Sequence, residues 1–212
     1  FSSPIQSLMR FGFLDGKYSV FDYGCGRGDD LRGLIGNNIE AHGWDPHFAK
    51  DQPKIESDLV NLGFVLNVIE DFRERAEVLQ GAFSLASGLL VISVILENNN
   101  SSLGKTFRDG IITKKETFQK YFTPNEIKDF VEECLNEEAI AVAPGIYFVF
   151  KDKIIEQEFL LNRVRSSSSY NRARLNLPPK LTRKERDDAK YTQHEELLAV
   201  LWSDWLDLGR EP

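Results

Sequence analysis

Lys17 to Gly33 reads KYSVFDYGCGRGDDLRG, and this stretch decides the fold. Ser19-Val20-Phe21 is a short apolar run with a β-branched centre, the pattern of a buried strand. Asp22 closes it. Glycines follow at positions 24, 26 and 28; Asp29 and Asp30 then precede Leu31 and Leu34, which begin a helical period. A glycine motif has meaning in this order of strand, turn and helix, because the turn brings bare backbone up to a ligand at a helix start. A side chain there would block the ligand, and the turn can require positive φ, which glycine adopts without steric cost. The alternative is a tight turn that holds nothing.

Asp22 stands two residues before the first glycine. An acid in that position takes an ammonium group and repels a pyrophosphate. The Gly-Lys-Ser/Thr of a P-loop is absent, which excludes that motif. The pattern D-x-G-x-G-x-G resembles motif I of class I S-adenosyl-L-methionine (SAM) methyltransferases. The resemblance implies that Asp22, Gly24, Gly26 and Gly28 cradle the methionine part of SAM, with Tyr23, Cys25 and Asp29 in the same turn. The next feature is Gly43-Trp44-Asp45-Pro46, in which Asp45 lies 21 residues after Gly24. Nucleotide-binding α/β units place an acid about 20 residues on, at the end of the second strand, where it hydrogen-bonds the ribose hydroxyls. Ile39, Ala41 and Trp44 make a poor strand pattern, so Asp45 as ribose ligand, flanked by Trp44 and Pro46, rests on spacing. Its other reading is an Asp-Pro turn.

A chain of 212 residues with 42% hydrophobic and 28% charged residues is long enough to bury one sizeable core. The longest apolar run, Leu89 to Leu96, is too short to span a bilayer. No secretory signal is read, and Phe1 is not an initiator, so a piece of a longer protein is expected. Two cysteines (Cys25, Cys134) and three histidines (His42, His47, His194) share no ligand spacing, so no metal is expected and the cytoplasm is the expected compartment. The formal charge of −7 argues against a general nucleic-acid coat. Residues 163–190 depart from it, with nine Lys/Arg against three acids.

Along the chain, residues 1–16 read as a short helix leading to the first strand. The helix after the glycine turn ends near Gly36-Asn37-Asn38. Only 13 positions separate Asp45 from Asp58, too few for a full helix and strand, so the third-strand region is expected to be reduced. Asp58 to Asn61 reads as a strand, Leu62-Gly63-Phe64 as a loop, and the chain then turns toward a helix capped by Asp71 that runs to Ala86 and is broken by Ser87-Gly88. Leu89 to Val94 is an apolar β-type run of the kind found in central parallel strands. Thr123, Pro124 and Glu126 form a capping box at the start of another helix. Ala139 to Ala143 and Ile146 to Phe150 read as an antiparallel hairpin across Pro144-Gly145. The expected fold is therefore α/β: a Rossmann-like, mainly parallel sheet with an antiparallel C-terminal strand and a helical C-terminal tail. The expected domains are 1–152, which would bind SAM, and 153–212, a basic linker and a helix carrying Leu197, Leu201, Trp202 and Trp205.

Ligands of open α/β sheets bind at the carboxyl ends of the strands. Asn61-Leu62-Gly63-Phe64 stands there, in the slot where base amino-methyltransferases carry N-P-P-F/Y. That likeness implies an amide that accepts from a target amino group and an aromatic that stacks on a base; both prolines are missing here. Asn61 is also readable as a loop side chain capping backbone. Gln119, Lys120 and Tyr121, after the Leu89–Val94 strand, are read as an acceptor wall, with Asn61, Gln119 and Tyr121 the candidate catalytic residues. Phe118, Tyr121 and Phe122 are also readable as core at i, i+3, i+4 spacing.

FDYGCGRGDDLRGL, GWDP, DLVNLGFVLNVIED, DGIITKKETFQKYFT and APGIYFVF together resemble the bacterial family of DNA phosphorothioation-associated methyltransferases, over roughly residues 4–162. LWSDWLDLGREP resembles a later piece of such proteins. The resemblance implies a Rossmann-like SAM-binding domain and association with a DNA-modification defence system. The leading expectation is a SAM-dependent methyltransferase with a nucleic-acid acceptor, contacted through 163–190. A small-molecule or protein acceptor is the alternative. A catalytically silent SAM-binding subunit, docking on other proteins through its C-terminal helix, is the rival from another class.

Overall fold

A computed structural model describes residues 1–98 and 104–165. Helix α1 (Ser3–Arg10) leads into β1 (Val20–Tyr23), followed by α2 (Asp29–Gly36), β2 (Ala41–Trp44) and β3 (Ser57–Gly63). Then come α3 (Phe72–Leu85), β4 (Ala86–Ser93), the short strands β5 (Lys105–Phe107), β6 (Gly110–Ile112) and β7 (Phe118–Gln119), α4 (Pro124–Leu135), β8 (Ile140–Ala143), β9 (Ile146–Phe150) and α5 (Lys153–Arg165). The main sheet has six strands in the order β2-β1-β3-β4-β9-β8. β1 pairs in parallel with β2 and β3, and β3 with β4, whereas β9 runs antiparallel to both β4 and β8. This is the Rossmann-like, mainly parallel sheet with an antiparallel end that the sequence implies.

The central strands are apolar on both faces, so both faces carry helices. Phe21, Val60, Leu62, Leu90 and Ile92 pack with Leu79 of α3 and with Ile127 and Val131 of α4. On the opposite face, Val20, Leu59, Leu89, Val91 and Phe148 pack with Ile5 and Leu8 of α1, Leu34 of α2 and Phe159 of α5. Each fully buried side chain of this size is worth about 1.5–3 kcal/mol. Sequence-encoded caps set the helix starts: Asp71 accepts from the backbone N–H groups of Arg73 and Glu74, and Thr123 and Glu126 form the expected capping box.

Four local features differ from, or sharpen, the sequence reading. No helix or sheet strand lies between Trp44 and Ser57, so the third-strand region is a turn bridged only at Asp45 and Ala49. β3 continues through Asn61, Leu62 and Gly63, because Leu62 is buried and Gly63 pairs with Ser93 of β4; the expected loop at 62–64 begins only at Phe64. Ser87-Gly88 does not separate helix from strand. α3 passes straight into β4, and the carbonyl of Gly88 accepts from Lys151 and Asp152. Finally, β5, β6 and β7 form a separate antiparallel sheet in the order β5-β6-β7 that residue patterns did not reveal. Each of its strands has only two or three residues, too few to display a period of two.

Candidate functional site

The glycine turn sits at the carboxyl end of β1. Gly24, Gly26 and Gly28 all have positive φ, at 84°, 55° and 72°. The carbonyl of Trp44, at the end of β2, accepts from the N–H of Gly24 (2.7 Å) and of Cys25 (3.1 Å), which fixes the turn to the neighbouring strand. A Cβ on Gly24 would overlap Cγ2 of Val65, so the turn and the loop after β3 touch there. A Cβ on Gly26 would meet nothing within 4 Å. Gly26 is therefore a left-handed residue whose missing side chain faces open space, as a ligand-facing turn requires.

Asp45 is 9% exposed and accepts three backbone N–H groups: Gly26 onto Oδ2 (3.0 Å), and His47 and Phe48 onto Oδ1 (2.8 and 3.0 Å). These bonds show the turn reading of this residue. It closes the turn after β2, and it brings the end of β2 onto the glycine turn. A carboxylate has about four lone-pair sites, so one remains.

Asp22 is 5% exposed, and its Oδ1 accepts from Nδ2 of Asn61 at 2.8 Å. The two residues are register partners on β1 and β3 and point to the α1–α2 side of the sheet, since Phe21 and Val60 point the other way. Oδ1 of Asn61 is buried without a hydrogen-bond partner. Burial pushes the Asp22 carboxyl up to about 7; the Asn61 bond pulls it back, and Asp30 and Asp45 push it further up. Burial, with Asp22 and Asp45 nearby, raises the Cys25 thiol to about 11, so Cys25 is no nucleophile at neutral pH.

Other expected residues stand elsewhere. Tyr23 and Trp44 turn to the α3–α4 side, their rings 5.3 Å apart. Lys54 caps them, its ammonium 3.9 Å from the Trp44 centroid and donating to the Tyr23 hydroxyl at 2.7 Å. The backbone carbonyl of Trp44 is bound to the glycine turn. Leu62 is core, Asp29 is exposed and paired with Arg32, and Pro46 is exposed. Phe64 leaves β3 with φ of 61°, unusual for a bulky residue, and its N–H donates to the carbonyl of Ser93.

Gln119 lies on β7 and donates to the carbonyl of Lys120, and Tyr121 is half-buried. Lys120 is not a free wall residue: it is buried, 2.6 Å from Glu126 and 3.7 Å from Asp109. Phe118 and Phe122 are core, on extended chain rather than at helical spacing. Phe122, which follows them, packs on the α3–α4 side, the face opposite the Asp22–Asn61 pair.

Two residues that the sequence reading passed over hold this segment in place. Asn67, fully buried, donates from Nδ2 to the carbonyls of Ile95 and Lys120 and accepts the N–H of Ile95 on Oδ1; its own carbonyl accepts from Lys120. It joins the loops after β3 and β4 to the chain leaving β7. Arg75, also buried, makes two bonds to Asp109 (2.8 and 3.2 Å) and two to the carbonyl of Ile69. A signal existed for Arg75, which sits four residues before Leu79 on the buried stripe of α3; a charge in that place needs a partner.

No family model and no curated protein sequence matches this chain. Some solved structures are similar to it over about 70% of its length. Magnesium protoporphyrin IX methyltransferase from Synechocystis PCC 6803, with bound S-adenosylhomocysteine (SAH), is 15% identical over 70% of this chain and 82% of that one, with a TM-score of 0.48. The 1,6-didemethyltoxoflavin N1-methyltransferase of Burkholderia thailandensis is 12% identical over 71% and 79%, with a TM-score of 0.49. A Rhodobacter sphaeroides chain described as a candidate zinc-dependent alcohol dehydrogenase has the same identity and TM-score over 71% and 90%.

Among the described residues no three His, Cys, Asp or Glu side chains cluster to hold a metal ion, and no helix is long and apolar enough to cross a membrane. From residue 166 onward, the basic stretch and the expected helix with Trp202 and Trp205 lie outside the described residues.

Proposed function

We propose that this chain is a SAM-dependent methyltransferase of the DNA phosphorothioation-associated kind, with a nucleic-acid acceptor. The observation that carries the cofactor is the glycine turn itself. Gly26 opens to free space, and two buried acids flank the turn in sequence: Asp22 on β1 and Asp45 just after β2, which holds the Gly26 N–H. Such a pair suits a ligand with an ammonium at one end and a diol at the other, and disfavours a pyrophosphate. The resemblance of FDYGCGRGDD and NLGFVLNVIED to that family, together with the basic stretch 163–190, supports the finer reading.

The residues present fit the cofactor. Asp22 accepts the ammonium of its methionine part, and a positive charge there favours the ionised carboxylate. The unpartnered Oδ1 of Asn61, beside Asp22, takes a further N–H of the same group. Asp45 offers its remaining lone pair to a ribose hydroxyl while it holds Gly26. When bound, the cofactor supplies a methyl group on a sulfonium. Val65 packs against Gly24 and so bounds the turn on the β3 side. Asn67 fixes the loops after β3 and β4, so that an acceptor held by Gln119 and Tyr121 meets the cleft in one orientation, which is where a transfer between two bound groups gains most.

Calorimetric titration of the full chain with SAM and with SAH tests this reading. Saturable binding of both is expected; binding of neither overturns it.

A further inference from the structure

The domain is acidic, but not evenly. Residues 104–121 hold five Lys/Arg (Lys105, Arg108, Lys114, Lys115, Lys120) against two acids, while the rest of residues 1–162 holds eleven against twenty-three. Of the five, Lys120 is consumed by Glu126 and Asp109. Lys105, Lys114 and Lys115 are exposed and have no ion-pair partner among the described residues.

The fold gathers these three. Lys105 pairs with Ile112 across β5 and β6, and Lys114 and Lys115 lie in the turn that follows Ile112. That turn is closed by bonds between Thr113 and Thr117 through backbone (2.9 Å) and hydroxyls (2.9 Å), so the lysines project from an ordered loop. Two residues along β5, on the same face as Lys105, stands Phe107. It is 40% exposed, edge-on to Phe118 at 6.5 Å, with the Arg108 guanidinium 5.5 Å from its centroid. At its other end the small sheet is bolted to the domain through Asp109–Arg75 and through the bond from Lys120 to Asn67, beside the ends of β3 and β4. A platform with a supported aromatic and one cation on an exposed strand, and further cations in the turn beside it, is the pairing that binds a single nucleic-acid strand, phosphates on the cations and a base on the ring.

We infer that the β5–β7 sheet is a docking platform for single-stranded nucleic acid, with Lys105, Lys114 and Lys115 taking phosphates and Phe107 stacking on a base. This deepens the proposed function by assigning the acceptor's grip to the sheet beside the cleft in addition to residues 163–190. SAM titration tests the cofactor separately: a chain that binds SAM but no strand overturns this inference alone.

The experiment is fluorescence anisotropy with labelled 15-nucleotide DNA and RNA strands and the matching duplex, on the full chain without cofactor. Wild type is expected to bind a strand more tightly than duplex, with affinity falling as salt rises by about 0.7 log units per log unit for each phosphate contact. K114E/K115E is expected to weaken binding at least about tenfold at low salt and to flatten that slope. F107A is expected to weaken strand binding about fivefold or more with the slope kept. Both substitutions lie on exposed positions, and an unchanged melting temperature confirms the fold. Variant binding equal to wild type, no wild-type binding at low salt, preference for duplex, or equal displacement by poly-L-glutamate each overturns the inference. The DNA and RNA arms show which strand it takes.

Discussion

Asn61 donates from Nδ2 to Oδ1 of Asp22 across 2.8 Å, joining the carboxyl ends of β3 and β1 beneath the glycine turn. The bond holds a carboxyl in a place where burial opposes its charge, and its partner's Oδ1 stays free of the protein's own donors. This buried pair has a price in stability and a use in binding, and the two depend on pH in opposite senses.

Asp22 titrates near 7 in the folded chain and near 3.9 in the unfolded one. Between those values the native state binds the extra proton, so stability falls as pH rises from about 4 to about 7 and is level above. Asp22→Asn keeps an acceptor for Asn61 and removes the charge. It is expected to be more stable than wild type at pH 8, by up to about 4 kcal/mol, and to lose the decline between pH 4 and 7. Urea denaturation at pH 5 and pH 8 checks this. SAM affinity of wild type is expected to rise through pH 7 as the carboxylate forms, and Asp22→Asn to bind weakly at every pH; equal slopes for both would remove Asp22 from the cofactor site.

Gly26 and Asp45 separate steric from polar effects. Gly26→Val places a β-branched residue at φ of 55° with its side chain in open space, costing about 1–3 kcal/mol of strain. The domain is expected to melt cooperatively and to bind no SAM. Asp45→Ala frees three N–H groups, including that of Gly26, and is expected to cost about 1–3 kcal/mol in stability as well as in SAM affinity. Calorimetry and thermal melts on both variants decide it: undiminished SAM binding by Asp45→Ala would leave Asp45 as a turn residue only.

The anchor of the small sheet makes a separate prediction. Burial works against the Asp109 carboxylate, yet the Arg75 hydrogen bonds and charge, with Lys120, bring it below the usual carboxylate range. Its contribution is present above the unfolded value and is lost as pH falls through the folded one. Asp109→Ala leaves the Arg75 guanidinium with only the Ile69 carbonyl, and is expected to destabilise by about 1–3 kcal/mol at pH 7 and by less at pH 3. Hydrogen exchange should quicken at Ile111, Ile112 and Phe118 before it does so in β3 or β4. Exchange rising equally in both sheets would show that Asp109 holds the whole domain rather than the small sheet.

The parts of this molecule that were legible in the sequence are those built by local rules. The glycine turn, the Asp71 and Thr123 caps and the Pro144-Gly145 hairpin each declare themselves within a few residues. β2 was nearly invisible, since His42 and Gly43 break its apolar pattern, and only the spacing of Asp45 from Gly24 pointed to it. Asn67, Arg75 and Asp109 were not legible as a group, because the bonds that tie them to distant segments span 28 to 53 positions and depend on where the folded loops meet. Tyr23 and Trp44 were placed in the cleft by adjacency to glycine and acid, but strand alternation turns their rings to the other face.

Gln119 and Tyr121 carry the acceptor reading, and their surroundings define its test. The chain between them is fixed on both sides: Lys120 donates its N–H to Asn67, gives its carbonyl to Asn67 and to the Gln119 amide, and buries its ammonium against Glu126. Phe118 and Phe122, on either side, are core. Removing the Gln119 amide or the Tyr121 ring therefore leaves that framework in place, and Gln119→Ala and Tyr121→Ala are expected to shift stability by less than about 1 kcal/mol. Both should bind SAM as wild type does. Transfer of the methyl group from SAM to a nucleic-acid strand should fall at least about tenfold, the scale of one lost positioning contact. Tritium transfer from labelled SAM, beside calorimetry and thermal melts on the same preparations, reads all three quantities. Unchanged transfer would free both residues of any role with the acceptor, weakened SAM binding at constant stability would move them to the cofactor, and a collapse in melting temperature would make them part of the core.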